Sequence, residues 1–209
     1  MKPIQLTMCA FGPYKGKEVI DFRELQGNRL FVISGSTGAG KTTIFDGISF
    51  AVYGNGSGSD RREHKSLRSD FAEDKLDTAV ELIFEVNRKT YRVMRQLGHV
   101  KEGNKTATGE AYEFMEVQED GTEVKGVERQ RVTDINTRIE EIIGLTYDQF
   151  NQIIMLPQGE FRKLLTSSSE NKEAILRKIF KTDRYGKMVK KLEDKKLKAE
   201  HDARAAKGM

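Results

Sequence analysis

Apolar and polar residues alternate through three stretches of the middle of the chain, TAVELIFEV (78–86), KTYRVMRQL (89–97) and YEFMEV (112–117). A period of two, rich in β-branched and aromatic residues, predicts strands that each bury one face. Asn87-Arg88 joins the first two as a hairpin, a polar loop (GHVKEGNKTATGE) precedes the third, and EDG (119–121) signals a tight turn after it. Nearer the start, IQLTM (4–8) and KEVIDF (17–22) read as short strands joined by a turn containing Gly12-Pro13. RLFVISG (29–35) is apolar almost throughout, the pattern of a strand buried on both faces.

Helical spacing follows in three places. Ile44, Ile48 and Ala51-Val52 share one helix face, and the loop-like GNGSGSD (54–60) ends that helix. Val132, Ile135, Ile139, Ile142 and Ile143 predict a second helix, which Gly144 closes. Ser167 followed by Glu170 caps a third. Beyond Arg184 the chain is mostly Lys, Glu, Asp and Ala, with Val189, Leu192, Lys196, Ala199, Ala203 and Ala206 in alternating steps of three and four. That seam, with one charged member, fits a coiled coil and a single solvated helix about equally. The pattern predicts an α/β lobe over residues 1–165 and a helical segment over 166–209.

Composition narrows the class. The 36 Lys and Arg against 32 Asp and Glu leave a net charge of +4, too small to argue for nucleic acid except through local clusters. A lone cysteine, Cys9, forms no intrachain disulfide, so a reducing cytoplasm is expected, and its place in a strand reads as a small buried residue. No run approaches a membrane helix, and the N-terminus lacks the apolar core of a signal peptide. His64, His99 and His201 lack metal-site spacing.

Candidate chemistry concentrates in GSTGAGKTT (35–43), which fits G-x-x-x-x-G-K-[ST] through Gly35, Gly40, Lys41 and Thr42. Glycines let successive backbone N–H groups curl around phosphate oxygens, and the helix that follows points its N-terminal dipole at the same anion. Lys41 is placed to reach the β and γ phosphates and Thr42 to offer its hydroxyl to Mg²⁺. A P-loop ATPase also needs an acidic residue at the end of another apolar strand and a group that positions water. Glu85 in LIFEV and the glutamate of FMEV are mid-strand, so the phosphate grip is present and the water-activating part is not.

FNQIIMLPQGEF (150–161) is the other unusual stretch. Gln158, next to Gly159, offers a carbonyl to Mg²⁺ and an amide to water, or is an ordinary loop glutamine.

A phosphate loop near the N-terminus, a strand-rich insertion, an apolar segment ending in Gln-Gly and a charged helix together resemble the N-terminal lobe of SMC-like ABC ATPases. In this chain 117 residues separate Lys41 from Gln158. Within that group TGAGKTT (37–43), KPIQLTMCAFGPYKGKEVIDF (2–22) and LPQGEFRKLLTSSSENKEAILRKIF (156–180) look like the Gram-positive SbcC branch, the ATPase subunits of bacterial SbcCD nucleases. The likeness covers essentially the whole chain but lacks the C-terminal lobe with its acidic strand, signature motif and switch histidine.

The resemblance implies a P-loop fold of the ABC head type, with a mixed sheet, an antiparallel sheet and the start of a coiled-coil helix. It implies that Gly35, Ser36, Thr37, Gly38, Ala39, Gly40, Lys41, Thr42 and Thr43 bind ATP, that Thr42 and Gln158 ligate Mg²⁺, and that Lys41 and Gln158 serve catalysis. The implied partners are the chain's own C-terminal lobe, a second copy closing on ATP, an SbcD-type nuclease and double-stranded DNA, with no membrane. Arg61, Arg62, Lys65 and Arg68, the pair Lys101 and Lys105, and lysines 187, 190, 191, 195, 196 and 198 are clusters able to meet a DNA backbone, or else solvated faces. Two other functions stay open. One is an SMC-type ATPase that tethers DNA without nuclease control; the other is a small-molecule kinase, in which the charged helical tail has no role.

Overall fold

The computed structural model describes residues 1–28, 30–57, 67–103, 105–154 and 183–207. They fall into two compact units, Met1–Pro157 and Gln158–Met209. The first unit runs β1 (Lys2–Phe11), β2 (Tyr14–Asp21), a 3-10 turn (Phe22–Leu25), α1 (Lys41–Tyr53), β3 (Thr78–Val86), β4 (Lys89–Leu97), β5 (Ala111–Val117), β6 (Glu123–Lys125), α2 (Val132–Ile143) and α3 (Tyr147–Ile153). The fold is α/β, with one six-stranded sheet in the order β2-β1-β3-β4-β5-β6 and every neighbouring pair antiparallel.

The strands predicted over 78–86 and 89–97 have those boundaries, and Asn87 and Arg88 turn between them at φ 53° and 66°. Two left-handed residues match the right-handed twist of a two-residue hairpin, so Val86 pairs with Lys89 and the register is fixed from there. It aligns Leu6, Leu82, Val93 and Phe114 in one row across four strands, all fully buried. Each such side chain contributes about 1.5–3 kcal/mol of burial. Against this face lie Ile48, Phe50, Ala51 and Val52 of α1 and Ile135 and Ile139 of α2. α1 is buried almost all round after its first turn, which explains why its sequence is apolar with little amphipathic contrast. The opposite face is ionic: Arg92 meets Glu81 at 3.0 Å, Glu113 at 3.0 Å and Glu123 at 2.7 Å.

α2 ends as expected at Gly144, whose φ is 75°. α3 begins with a capping box: the Thr146 hydroxyl accepts from Gln149 N, and the Gln149 side-chain carbonyl accepts from Thr146 N at 3.1 Å. This helix was not expected, because the segment from Phe150 reads in the sequence only as an apolar run into Pro157.

The strand expected over 29–35 is not formed in its described residues, 30–35. Residues 30–36 take no regular structure, and Leu30 and Val32 are 88% and 86% exposed. An apolar run becomes a buried strand only where neighbours pair with its backbone. Among the described residues no strand pairs with this one.

In the second unit the described element is α4 (Asp183–Lys207), a 25-residue helix. Met188, Val189, Leu192 and Leu197 on it are exposed. No helix among the described residues is long and apolar enough to cross a membrane.

Candidate phosphate-binding site

The loop from Gly35 enters α1 through Gly40, the N-cap, at φ 86°. Two features leave the helix start open to an anion: no side chain caps it, and its first turn holds no acidic residue. Gly40 must be glycine for a second reason, because a Cβ there would lie 2.7 Å from the Tyr14 hydroxyl and 2.8 Å from Pro13 Cγ. The Tyr14 hydroxyl donates to the Gly40 carbonyl at 3.1 Å. Burial, and secondly Glu18, raise the Tyr14 phenol above its ordinary range, so it stays a donor at neutral pH.

Lys41 turns its amino group back into the curl of the loop. It donates to the carbonyls of Gly35 at 2.9 Å and Ser36 at 2.7 Å. Ser36, Thr37, Gly38 and Ala39 are exposed, and so is Thr42, whose hydroxyl is a hard oxygen donor. Thr43 points the other way. It is buried, and its methyl group fills the space beside Gly12, where a Cβ would come within 2.6 Å. The β1–β2 turn is thus packed on the base of the loop, and Gly12 N donates to Leu67 O at 2.8 Å behind it.

One turn further along α1, Asp46 is buried and its carboxylate accepts from Ser57 N at 2.9 Å and from the Ser57 hydroxyl. Tyr14, Asp46 and Ser57 were not among the residues expected from the sequence. A clue existed for Asp46 only, as a charged residue inside an otherwise apolar helix.

Gln158, Arg61 and Arg62 lie outside the described residues. Lys101 is paired with Asp77 at 2.9 Å, while Lys105 is exposed. Arg68 is taken up locally, donating to Leu76 O at 2.7 Å, Thr78 Oγ1 at 2.8 Å and Glu73 O at 3.0 Å. Glu116, the glutamate of FMEV, pairs with Lys89 at 2.7 Å, away from the loop. No group of three His, Cys, Asp or Glu among the described residues gathers as a metal site.

A family model described as AAA domain matches residues 5–207. The SbcC subunit of the SbcCD nuclease from Staphylococcus aureus (strain Newman) is 39% identical over 206 residues, which are 98% of this chain and 20% of that protein. The subunit of the same name from Staphylococcus saprophyticus is 40% identical over 195 residues, 93% of this chain and 19% of its own. The chain therefore spans about a fifth of the length of these relatives. Among solved structures, the SMC head domain from Thermotoga maritima matches 66% of this chain and 42% of its own, at 24% identity and a TM-score of 0.40.

Proposed function

The chain belongs to the AAA domain family, and on that premise we propose that it is the ATP-gripping part of an SbcC-like ATPase head. The observation that carries the reading is the loop itself: an uncapped helix start behind a glycine curl, with the Lys41 ammonium held inside it. Such a site suits a triphosphate, whose oxygens take backbone N–H groups and a point cation together. Gly35 to Thr43 bind the phosphates, Lys41 neutralises the β and γ oxygens, and the Thr42 hydroxyl, with Gln158, ligates Mg²⁺. A metal ion held there would supply positive charge that offsets the charge of the phosphate oxygens. Residues 1–165 form the lobe and 166–209 lead into the ascending helix of a coiled coil.

Hydrolysis in this reading needs a second lobe to supply the acidic strand and the signature motif, and the fragment alone turns over little. The exposed run Leu30-Phe31-Val32 supports that division, because a strand-like apolar segment lying bare is what a missing sheet neighbour leaves behind. In the complete ATPase, two heads close on ATP, hold double-stranded DNA and control an SbcD-type nuclease in the cytoplasm. Lys101, Lys105, Arg61 and Arg62 are the proposed backbone contacts, with Lys101 first having to leave Asp77. The test is ATP hydrolysis by the chain alone and then mixed with its C-terminal lobe, with Lys41→Ala as control. Turnover that appears on mixing and disappears in the variant is expected. Equal turnover by the chain alone would overturn the division of labour.

A further inference from the structure

Arg95 lies on β4 with its side chain fully buried, in the register row of Met8, Val80 and Tyr112. Its Nε donates to Ala51 O at 2.8 Å, and its Nη2 donates to Val52 O at 2.9 Å and to Asn136 Oδ1 at 2.6 Å. All three acceptors are neutral. Nη1 has no partner, and no carboxylate among the described residues pairs with the guanidinium. The carbonyl end of α1 offsets part of the charge. A buried cation held only by neutral oxygens, with one nitrogen unmatched, is costly to keep.

Gly54 packs beside the unmatched nitrogen, so that a Cβ there would stand 3.2 Å from Nη1. Gly54 and Arg95, with Asn55, Tyr112 and Asn136, line a cavity of about 130 Å³. At about 30 Å³ per water this is room for a few waters or one small ion. Burial pushes the Arg95 guanidinium down to about 10, consistent with a charge lacking its counter-charge.

We propose that this cavity binds a small oxyanion, carboxylate or inorganic, through the free Nη1 of Arg95. The site is separate from the phosphate loop, since α1 is 13 residues long and about 20 Å divides its ends. An anion here completes the hydrogen bonding of the guanidinium that ties the far end of α1 to β4 and α2.

The test follows the Arg95 Nε–Hε signal by ¹⁵N NMR in the 209-residue chain carrying Lys41→Ala, which keeps the phosphate loop out of the readout. Sulfate and acetate are titrated separately at constant ionic strength. A saturable shift with either anion is expected, sulfate alone marking an inorganic oxyanion and acetate alone a carboxylate. Arg95→Met identifies the signal, and Asn136→Asp serves if that variant fails to fold. Asn136→Asp places a carboxylate 2.6 Å from Nη2, so it supplies the counter-charge internally and weakens the anion response at least about tenfold. No saturable shift with either anion means that waters alone fill the cavity, and an undiminished response in Asn136→Asp places the anion elsewhere. Either result overturns the proposal.

Discussion

The hydroxyl of Tyr14 donates to the carbonyl of Gly40 across 3.1 Å, fastening the β1–β2 turn to the residue that starts α1. Tyr14→Phe keeps the ring and removes the bond. A half-buried hydrogen bond of this kind contributes about 1 kcal/mol. ATP affinity, read by calorimetry, is expected to fall several-fold while the melting temperature moves by a few degrees at most. Unchanged affinity would reduce the bond to packing.

The same turn leaves no room for a side chain at Gly40. Gly40→Ala puts a methyl group 2.7 Å from the Tyr14 oxygen in a residue at φ 86°. Strain and overlap together are expected to cost about 1–3 kcal/mol in urea unfolding. Gly40→Ala combined with Tyr14→Ala should recover part of that loss, because one of the two obstructions is gone.

Asp46 holds Ser57 through two hydrogen bonds in a buried position. Asp46→Asn removes the charge and turns one acceptor into a donor. The expected loss is about 1–3 kcal/mol by chemical denaturation, and Ser57→Ala should cost less, since the Ser57 N–H bond to Asp46 survives.

Much of this architecture is legible from the residues, and the failures share a cause. The β3–β4 hairpin is read correctly because alternation, β-branching and Asn87-Arg88 all agree. The phosphate loop is legible because its residue types are dictated by backbone geometry. The run over 29–35 is misread because an apolar run specifies burial only together with its neighbours, and no described strand supplies them. Arg95 was within reach, since it shares parity with Tyr91, Val93 and Leu97 on the buried face. Its hydrogen bonds to Ala51 and Val52 were not, because they join positions more than forty residues apart. The three-residue β6 is too short and too polar to leave a pattern.

The ionic face of the sheet predicts a pH dependence. Hydrogen bonding to Arg92 holds the Glu123 carboxyl below its ordinary value of 4.5. A carboxyl whose pKa is lowered by folding stabilises the protein fully above its unfolded value, and that contribution fades as pH falls through the folded one. Stability should therefore drop below about pH 4.5, and Arg92→Leu should flatten that limb in acid titrations followed by circular dichroism. The pair is partly solvated, so the effect at neutral pH is modest and shrinks with salt.

The most direct measurement is a calorimetric titration of ATP with Mg²⁺ into the chain and into Lys41→Ala. The Lys41 ammonium lies within the loop, 2.7 Å from Ser36 O and 2.9 Å from Gly35 O. Charge-assisted bonds to phosphate contribute about 1.5–3 kcal/mol, so saturable binding by the chain should weaken at least about tenfold in the variant, with circular dichroism unchanged. Equal binding by both proteins, or binding by neither, would contradict a nucleotide site at this loop.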